Sequence, residues 1–172
     1  MPAIDALIGR SVRGLSGAFY TADQIECALR HVFGVDSQLI ADGTYFVIEA
    51  DGGGGLAAAG GWSARRTHYG GDQAKSADDP PIDPASEPAR IRAFFVDPGW
   101  ARQGLARRLF AACQSAAWGA GFRTFELVAT LPGQPLYAAL GFAARESMVV
   151  PLPGGLVLPC VRMVRAVGAV TP

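Results

Sequence analysis

The stretch FFVDPGWARQGLARRLF, which runs from Phe94 to Phe110, decides the fold of this chain. It begins as an apolar strand, breaks at the turn formed by residues 97–99, and resumes near Gly104 as a helix. A helix start usually favours acidic residues, because the aligned peptide dipoles place partial positive charge there. This start contains no acid, and its charged residues are Arg102, Arg107 and Arg108. The pattern predicts that a ligand supplies the negative charge.

The backbone of this turn is suited to an anion. The first four N–H groups of a helix have no intrahelical partner, and together with the dipole they bind phosphate-like groups. Two familiar phosphate loops are excluded by spacing. Gly99 and Gly104 have the separation of a Walker loop, but Leu105 and Ala106 follow where Lys and Ser or Thr are needed. The chain also lacks the glycine set of a dinucleotide-binding fingerprint.

The surrounding patterns predict a mixed sheet. Residues 89–96 read as a strand, 104–120 as a helix with an apolar face, and the stretch after it as another strand. A short helix ending at Gly141 and a closing hairpin follow. Towards the N-terminus, a helix capped by Thr21 precedes two strands around a glycine turn. The fold class is therefore α/β, with one parallel strand–helix–strand crossover and flanking helices.

Composition narrows the functional class. The chain has 172 residues, half of them apolar, and a formal net charge of zero. That length predicts one domain, and the neutral balance argues against a nucleic-acid partner. Three separated cysteines and two isolated histidines predict neither a disulfide framework nor a metal site. With no long apolar segment, we expect a cytoplasmic protein that does not bind a membrane.

Residues 67–88 differ from the rest of the chain. This segment contains four prolines and four aspartates and few apolar residues. Loops of such length are usually functional or disordered, so it is expected either to be flexible or to cover a substrate.

In the strand–turn–helix segment quoted at the start, and in the segment that follows this helix, the chain resembles the GNAT-superfamily N-acetyltransferases. The segment IRAFFVDPGWARQGLARRLF is similar to their acyl-CoA-binding motif, and the residues in register are Val96, Pro98, Trp100, Gly104 and Ala106. The downstream segment FELVATLPGQPLYAALGF is similar to their Tyr-x-x-x-Gly-Phe element, through Tyr137, Gly141 and Phe142. The resemblance implies one N-acetyltransferase domain over residues 1–172, with a core at about 10–168, and a mostly antiparallel central sheet.

The chain departs from the family pattern at three places. Ala101 stands where the motif usually begins with Arg or Gln, and Arg102 is the candidate to replace it. Pro132 replaces an asparagine that often follows the second strand. The central strand lacks the glutamate that often acts as base and offers Arg90 and Arg92 instead.

The resemblance implies acetyl-CoA as co-substrate and a set of residues that bind it. Backbone groups of Phe94 and Val96 would pair with the pantetheine arm, like an added strand. The pyrophosphate would lie on the helix start, against Arg102, Gln103, Gly104, Leu105, Ala106 and Arg107.

The resemblance also implies Tyr137 as general acid, protonating the departing CoA thiolate. Glu126, on the strand after the crossover, is the candidate general base. His68, Tyr69 and a water relay are alternatives. The implied reaction moves an acetyl group to a primary amine of a small molecule by direct attack in a ternary complex.

Two other functions stay open. The same fold occurs with a non-catalytic acyl-CoA sensor or interaction domain, because fold does not fix function. A phosphate- or nucleotide-binding protein would use the same helix start. The exposed closing hairpin is compatible with a homodimer.

Overall fold

In the computed structural model, which describes residues 1–76 and 78–166, helices and strands follow the predicted order. The helices are α1 (Pro2–Ser16), α2 (Ala22–His31), α3 (Ser37–Ala41), α4 (Leu105–Gly119) and α5 (Gln134–Ala139). The strands are β1 (Tyr45–Glu49), β2 (Leu56–Ser63), β3 (Ala89–Val96), β4 (Thr124–Thr130), β5 (Ala143–Pro151) and β6 (Val157–Ala166). Within these described ranges, no helix is both long and apolar enough to cross a membrane.

The six strands form one sheet in the order β1-β2-β3-β4-β6-β5. Strands β3 and β4 run parallel and are joined through α4, whereas the other neighbours pair antiparallel. The predicted α/β class, with one parallel crossover in a mostly antiparallel sheet, is confirmed. The predicted Thr21 cap is also present, as a capping box. The Thr21 hydroxyl accepts from the Gln24 N–H, and the Thr21 N–H donates to the side-chain oxygen of Gln24.

Helices cover both faces of the sheet. Helices α1 and α2 pack on one face, and the core between these helices and the sheet includes Leu7, Ile8, Ala28 and, from β3, Phe95. Helices α4 and α5 pack on the other, where Phe110, Phe125 and Phe142 form a buried aromatic cluster. Along β3 the side chains therefore alternate between two separate cores.

Strands β3 and β4 separate soon after they meet. They pair only at Ala89 with Phe125 and at Arg90 with Glu126. Further along β3, Ala93 has a φ of 54° and the register with β2 shifts beside it, which marks a bulge. The rest of β3 bends away from β4, and a gap opens in the middle of the sheet.

The loop between β2 and β3 packs against the end of α2. The Gly71 N–H donates to the carbonyl of Val32 at 2.8 Å, and the Asp72 N–H donates to that of Val35 at 2.9 Å. Gly71 has no room for a side chain, because a Cβ there would lie 2.7 Å from the Gly34 backbone. The described part of this loop is thus packed against the end of α2 and does not extend freely into solvent.

Candidate active site

A cavity of about 230 Å³ passes through the gap between β3 and β4. Phe94, Leu136 and Tyr137 line it on the face that carries α4 and α5. On the opposite face its walls come from α1, from the end of α2 and from residues 68–71. Two molecules can therefore approach one another through the sheet, one from each face.

The edge of β3 faces this gap with backbone groups. The Asp97 N–H donates to the carbonyl of Ala57 on β2 at 2.8 Å, so the preceding N–H, that of Val96, points away from β2. It donates to the Ser11 hydroxyl of α1 at 3.1 Å. Ser11 was not singled out by the sequence, because nothing local in α1 indicates that it reaches another strand.

The start of α4 has the shape that an anion site needs. Gly104 caps the helix with a φ of 80°, and Arg102 before it has a φ of 65°. Among the described residues, apart from the immediate chain neighbours of Gly104, no atom lies within 4 Å of a Cβ built on this glycine, so the space in front of the helix is open. Arg102 is exposed at this opening, next to Ala101. Of the predicted CoA-binding residues 102–107, Ala106 lines the cavity, and the others adjoin it along the chain.

Tyr137 stands at the same mouth. Its ring packs edge-on against Phe94 and Phe142, with centroid distances of 6.2 and 5.8 Å. Burial holds the pKa of the Tyr137 hydroxyl well above its usual range, so that it stays protonated at neutral pH. A protonated hydroxyl beside the cavity has the form required of a general acid.

Glu126 lies on β4 and is surrounded by cations. Its Oε2 accepts from Arg162 at 2.9 Å, and its Oε1 accepts from Arg90 at 3.4 Å. His68 Nε2 lies 2.7 Å from the same Oε1. The Glu126 side chain is only 10% exposed and is not part of the cavity wall, whereas His68 is.

His68 is the titratable group that links Glu126 to the cavity. Burial and the nearby Arg90 lower the pKa of His68, although Glu126 acts in the opposite direction. The imidazole is therefore neutral at pH 7. Nε2 faces the carboxylate of Glu126, so with the ring proton on Nε2 the lone pair lies on Nδ1, which is then the ring atom that can accept a proton. The sequence offered His68 as an alternative but did not pair it with Glu126.

Arg92 fixes the loop that carries His68. Its guanidinium donates to the carbonyls of Thr67 at 3.2 Å and Gly70 at 2.6 Å. It also lies 2.8 Å from Asp36 Oδ2, an ion pair that lacks hydrogen-bond alignment. Lys75 contacts the other oxygen of Asp36. One of the two arginines in the central strand therefore organises the wall of the cavity.

The aspartates of the 67–88 loop mostly fold the loop itself. Asp72 accepts from the Ser37 N–H, Asp79 from the Thr67 N–H, and Asp83 from the Ala85 N–H. One oxygen of each of these three carboxylates is thus engaged by a backbone donor of the fold. In the part of the chain that the structure describes, no group of three His, Cys, Asp or Glu residues is arranged to hold a metal ion.

Comparison with known proteins agrees with this architecture. A family model described as an acetyltransferase (GNAT) domain matches residues 41–144. No curated protein is significantly similar to the chain.

Several solved structures share the fold. A GCN5-related N-acetyltransferase from Rhodopseudomonas palustris is 14% identical with a TM-score of 0.69, over 96% of this chain and 88% of that one. PaiA N-acetyltransferase from Thermoplasma acidophilum, solved with coenzyme A, is 10% identical with a TM-score of 0.63, over 96% and 91%. YncA from Salmonella typhimurium, solved with acetyl-CoA, is 14% identical with a TM-score of 0.57, over 99% and 92%.

Proposed function

The chain belongs to the GNAT acetyltransferase family, and from that premise we propose that it transfers an acetyl group from acetyl-CoA to a primary amine. The observation that carries the proposal is the cavity that passes between β3 and β4. Ala106, in the first turn of α4, and Tyr137 line one side of this cavity, and His68 lines the other. The two substrates would meet in this gap and react directly.

The cofactor end of the site fits acetyl-CoA. The pyrophosphate would lie on the start of α4, where Gly104 leaves open space and the N–H groups of residues 105–107 have no intrahelical partner. Arg102, Gln103 and Arg107 flank this position. The pantetheine arm would pair with the backbone of Phe94 and Val96 along the free edge of β3.

The chemistry requires one proton to leave the amine and one to reach the sulfur. The amine nitrogen attacks the thioester carbonyl, the new C–N bond forms, and the C–S bond breaks. His68 Nδ1 would accept the proton of the amine, while Glu126 holds the ring through Nε2 and stabilises the imidazolium. Glu126, the predicted base, would thus act through His68 as a positioning residue. Tyr137 would give its proton to the departing thiolate and recover one from solvent.

A paired experiment tests this proposal. Binding of acetyl-CoA is measured by calorimetry, and thiol release is measured over a panel of amines. We expect micromolar binding and thiol release that depends on the amine. Binding without amine-dependent release would favour the non-catalytic acyl-CoA sensor, and no binding would contradict both functions.

A further inference from the structure

On the face of the sheet that carries α1 and α2, the wall of the cavity is largely apolar, although Ser11 and Ser16 of α1 also lie in it. Helix α1 contributes Val12 and Leu15, and the end of α2 contributes Val32 and Phe33. Phe33 stands edge-on to Phe95 at a centroid distance of 6.2 Å, which fixes its ring in the wall. This surface can bury a hydrocarbon group beside the reacting nitrogen.

No carboxylate lines this cavity among the residues that the structure describes. Its charged or basic side chains are Arg92 and His68. Arg92 is committed to Asp36 and to the loop carbonyls. A cationic group of a substrate would therefore find no negative partner in the wall.

The neighbouring carboxylates are already paired. A second cavity of about 220 Å³ lies beyond His68 and Tyr69, and its one carboxylate, Glu146, lies 3.3 Å from Arg162. Glu126 is held between Arg162 and Arg90, as described above. Glu146 and Glu126 thus both have arginine partners, as Asp36 does in Arg92.

We infer that the acceptor is a monoamine whose remaining part, close to the nitrogen, is apolar and uncharged. This inference rests on the proposed function and names the substrate class of the same site. Burying a hydrocarbon group against this wall is favourable, whereas burying a second ammonium without a partner is costly. Polyamines and aminoglycoside-like polycations are therefore excluded as good acceptors.

A matched pair of amines tests the substrate class. Pentylamine and 1,4-diaminobutane have the same length and the same reacting group, and they differ only in a terminal methyl against a terminal ammonium. With the full chain and saturating acetyl-CoA, we expect kcat/KM for pentylamine to exceed that for 1,4-diaminobutane by at least about 100-fold. 2-Phenylethylamine adds a second apolar monoamine to the comparison, and spermidine adds a second polycation.

A substitution in the wall provides a second measurement. Leu15 is 39% exposed at the cavity, so Leu15→Glu adds a carboxylate with little risk to folding. We expect it to reduce the preference for pentylamine by about tenfold or more, because a paired ammonium costs far less to bury. Val47→Glu is the control, since Val47 is 46% exposed on the edge strand β1 and outside the cavity. It should leave the preference unchanged.

The possible results separate the two proposals. Equal or better use of 1,4-diaminobutane and spermidine would overturn the apolar acceptor and leave the acetyltransferase intact. Absence of amine-dependent thiol release across all four amines, with acetyl-CoA bound, would contradict the proposed function and this inference with it. An unchanged preference in Leu15→Glu would show that this wall does not contact the acceptor.

Discussion

His68 Nε2 lies 2.7 Å from Glu126 Oε1, although 57 residues separate them in sequence. The contact engages one ring nitrogen, and the His68 side chain lines the cavity. Arg90 and Arg162 hold the carboxylate from two further directions, so that both of its oxygens are already engaged. The pair therefore works best as a neutral imidazole that is oriented by the carboxylate.

The first prediction concerns His68. We expect His68→Gln to lower kcat by about 100-fold, because general base catalysis contributes on this scale. His31→Gln is the matched control, since His31 is exposed at the end of α2 and should leave kcat unaltered. A His68→Gln enzyme with normal kcat at neutral pH would assign the proton transfer to another group or to water.

The second prediction concerns pH. Because burial lowers the pKa of His68, the neutral base persists to more acidic pH than for an exposed histidine, and kcat falls only below the usual pH range of histidine titration. Replacing Glu126 by Gln removes the interaction that raises this pKa. The acidic limb of the kcat profile should then move to lower pH, with a lower plateau from loss of orientation. A limb unchanged in Glu126→Gln would contradict the pairing.

The third prediction separates the roles of two tyrosines. Tyr137→Phe should lower kcat by a factor on the order of 10–100 and leave the acetyl-CoA Kd unchanged, because only proton donation is lost. Tyr20 is the structural counterpart: its hydroxyl donates to the Pro159 carbonyl at 2.7 Å and accepts from the Leu131 N–H at 2.8 Å. Tyr20→Phe should cost about 1–3 kcal/mol of unfolding free energy by leaving buried groups unpaired.

Turnover and stability should therefore change in different variants. Thiol release is measured for both variants at a temperature where each is folded. Their stabilities are compared separately by thermal unfolding. A Tyr137→Phe enzyme that keeps normal turnover would reject the general acid. Loss of stability without loss of turnover in that variant would make Tyr137 a packing residue.

The fold was largely predictable from local patterns. The break at residues 97–99 between an apolar strand and a helix indicated the crossover, and the Thr21 capping box marked the start of α2. These signals are local, because a cap or a turn is set by residues a few positions apart. The gap between β3 and β4 has no such local signal, since the bulge at Ala93 has no sequence signature of its own.

The site was less predictable, because its contacts join distant segments. Glu126 was singled out as a base, but the sequence gives no sign that Arg90, Arg162 and His68 surround it. The same holds for Arg92, whose position in the central strand reveals its charge but not its loop carbonyl partners. Side-chain direction across a sheet face depends on register, and register depends on tertiary packing.

The fourth prediction tests the cofactor end. Gly104→Ala places a methyl group in the open space before α4, and we expect it to weaken acetyl-CoA binding by at least about tenfold through steric exclusion of the pyrophosphate. Gly43→Ala is the control, because Gly43 has a similar φ of 70° and equally open surroundings but lies in the turn before β1. Both variants carry similar backbone strain, so a similar change in Kd would contradict the assigned site.

The fifth prediction concerns Ser11, whose hydroxyl accepts from the Val96 N–H at the edge of β3. If the pantetheine arm takes this donor, it must displace Ser11. Removing the hydroxyl in Ser11→Ala should then tighten the acetyl-CoA Kd by about two- to tenfold, which is the net worth of one hydrogen bond. Ser16→Ala is the control, since Ser16 is buried in the same helix and lines the same cavity. A weaker Kd in Ser11→Ala would mean that the hydroxyl itself binds the cofactor and that Val96 is not its donor.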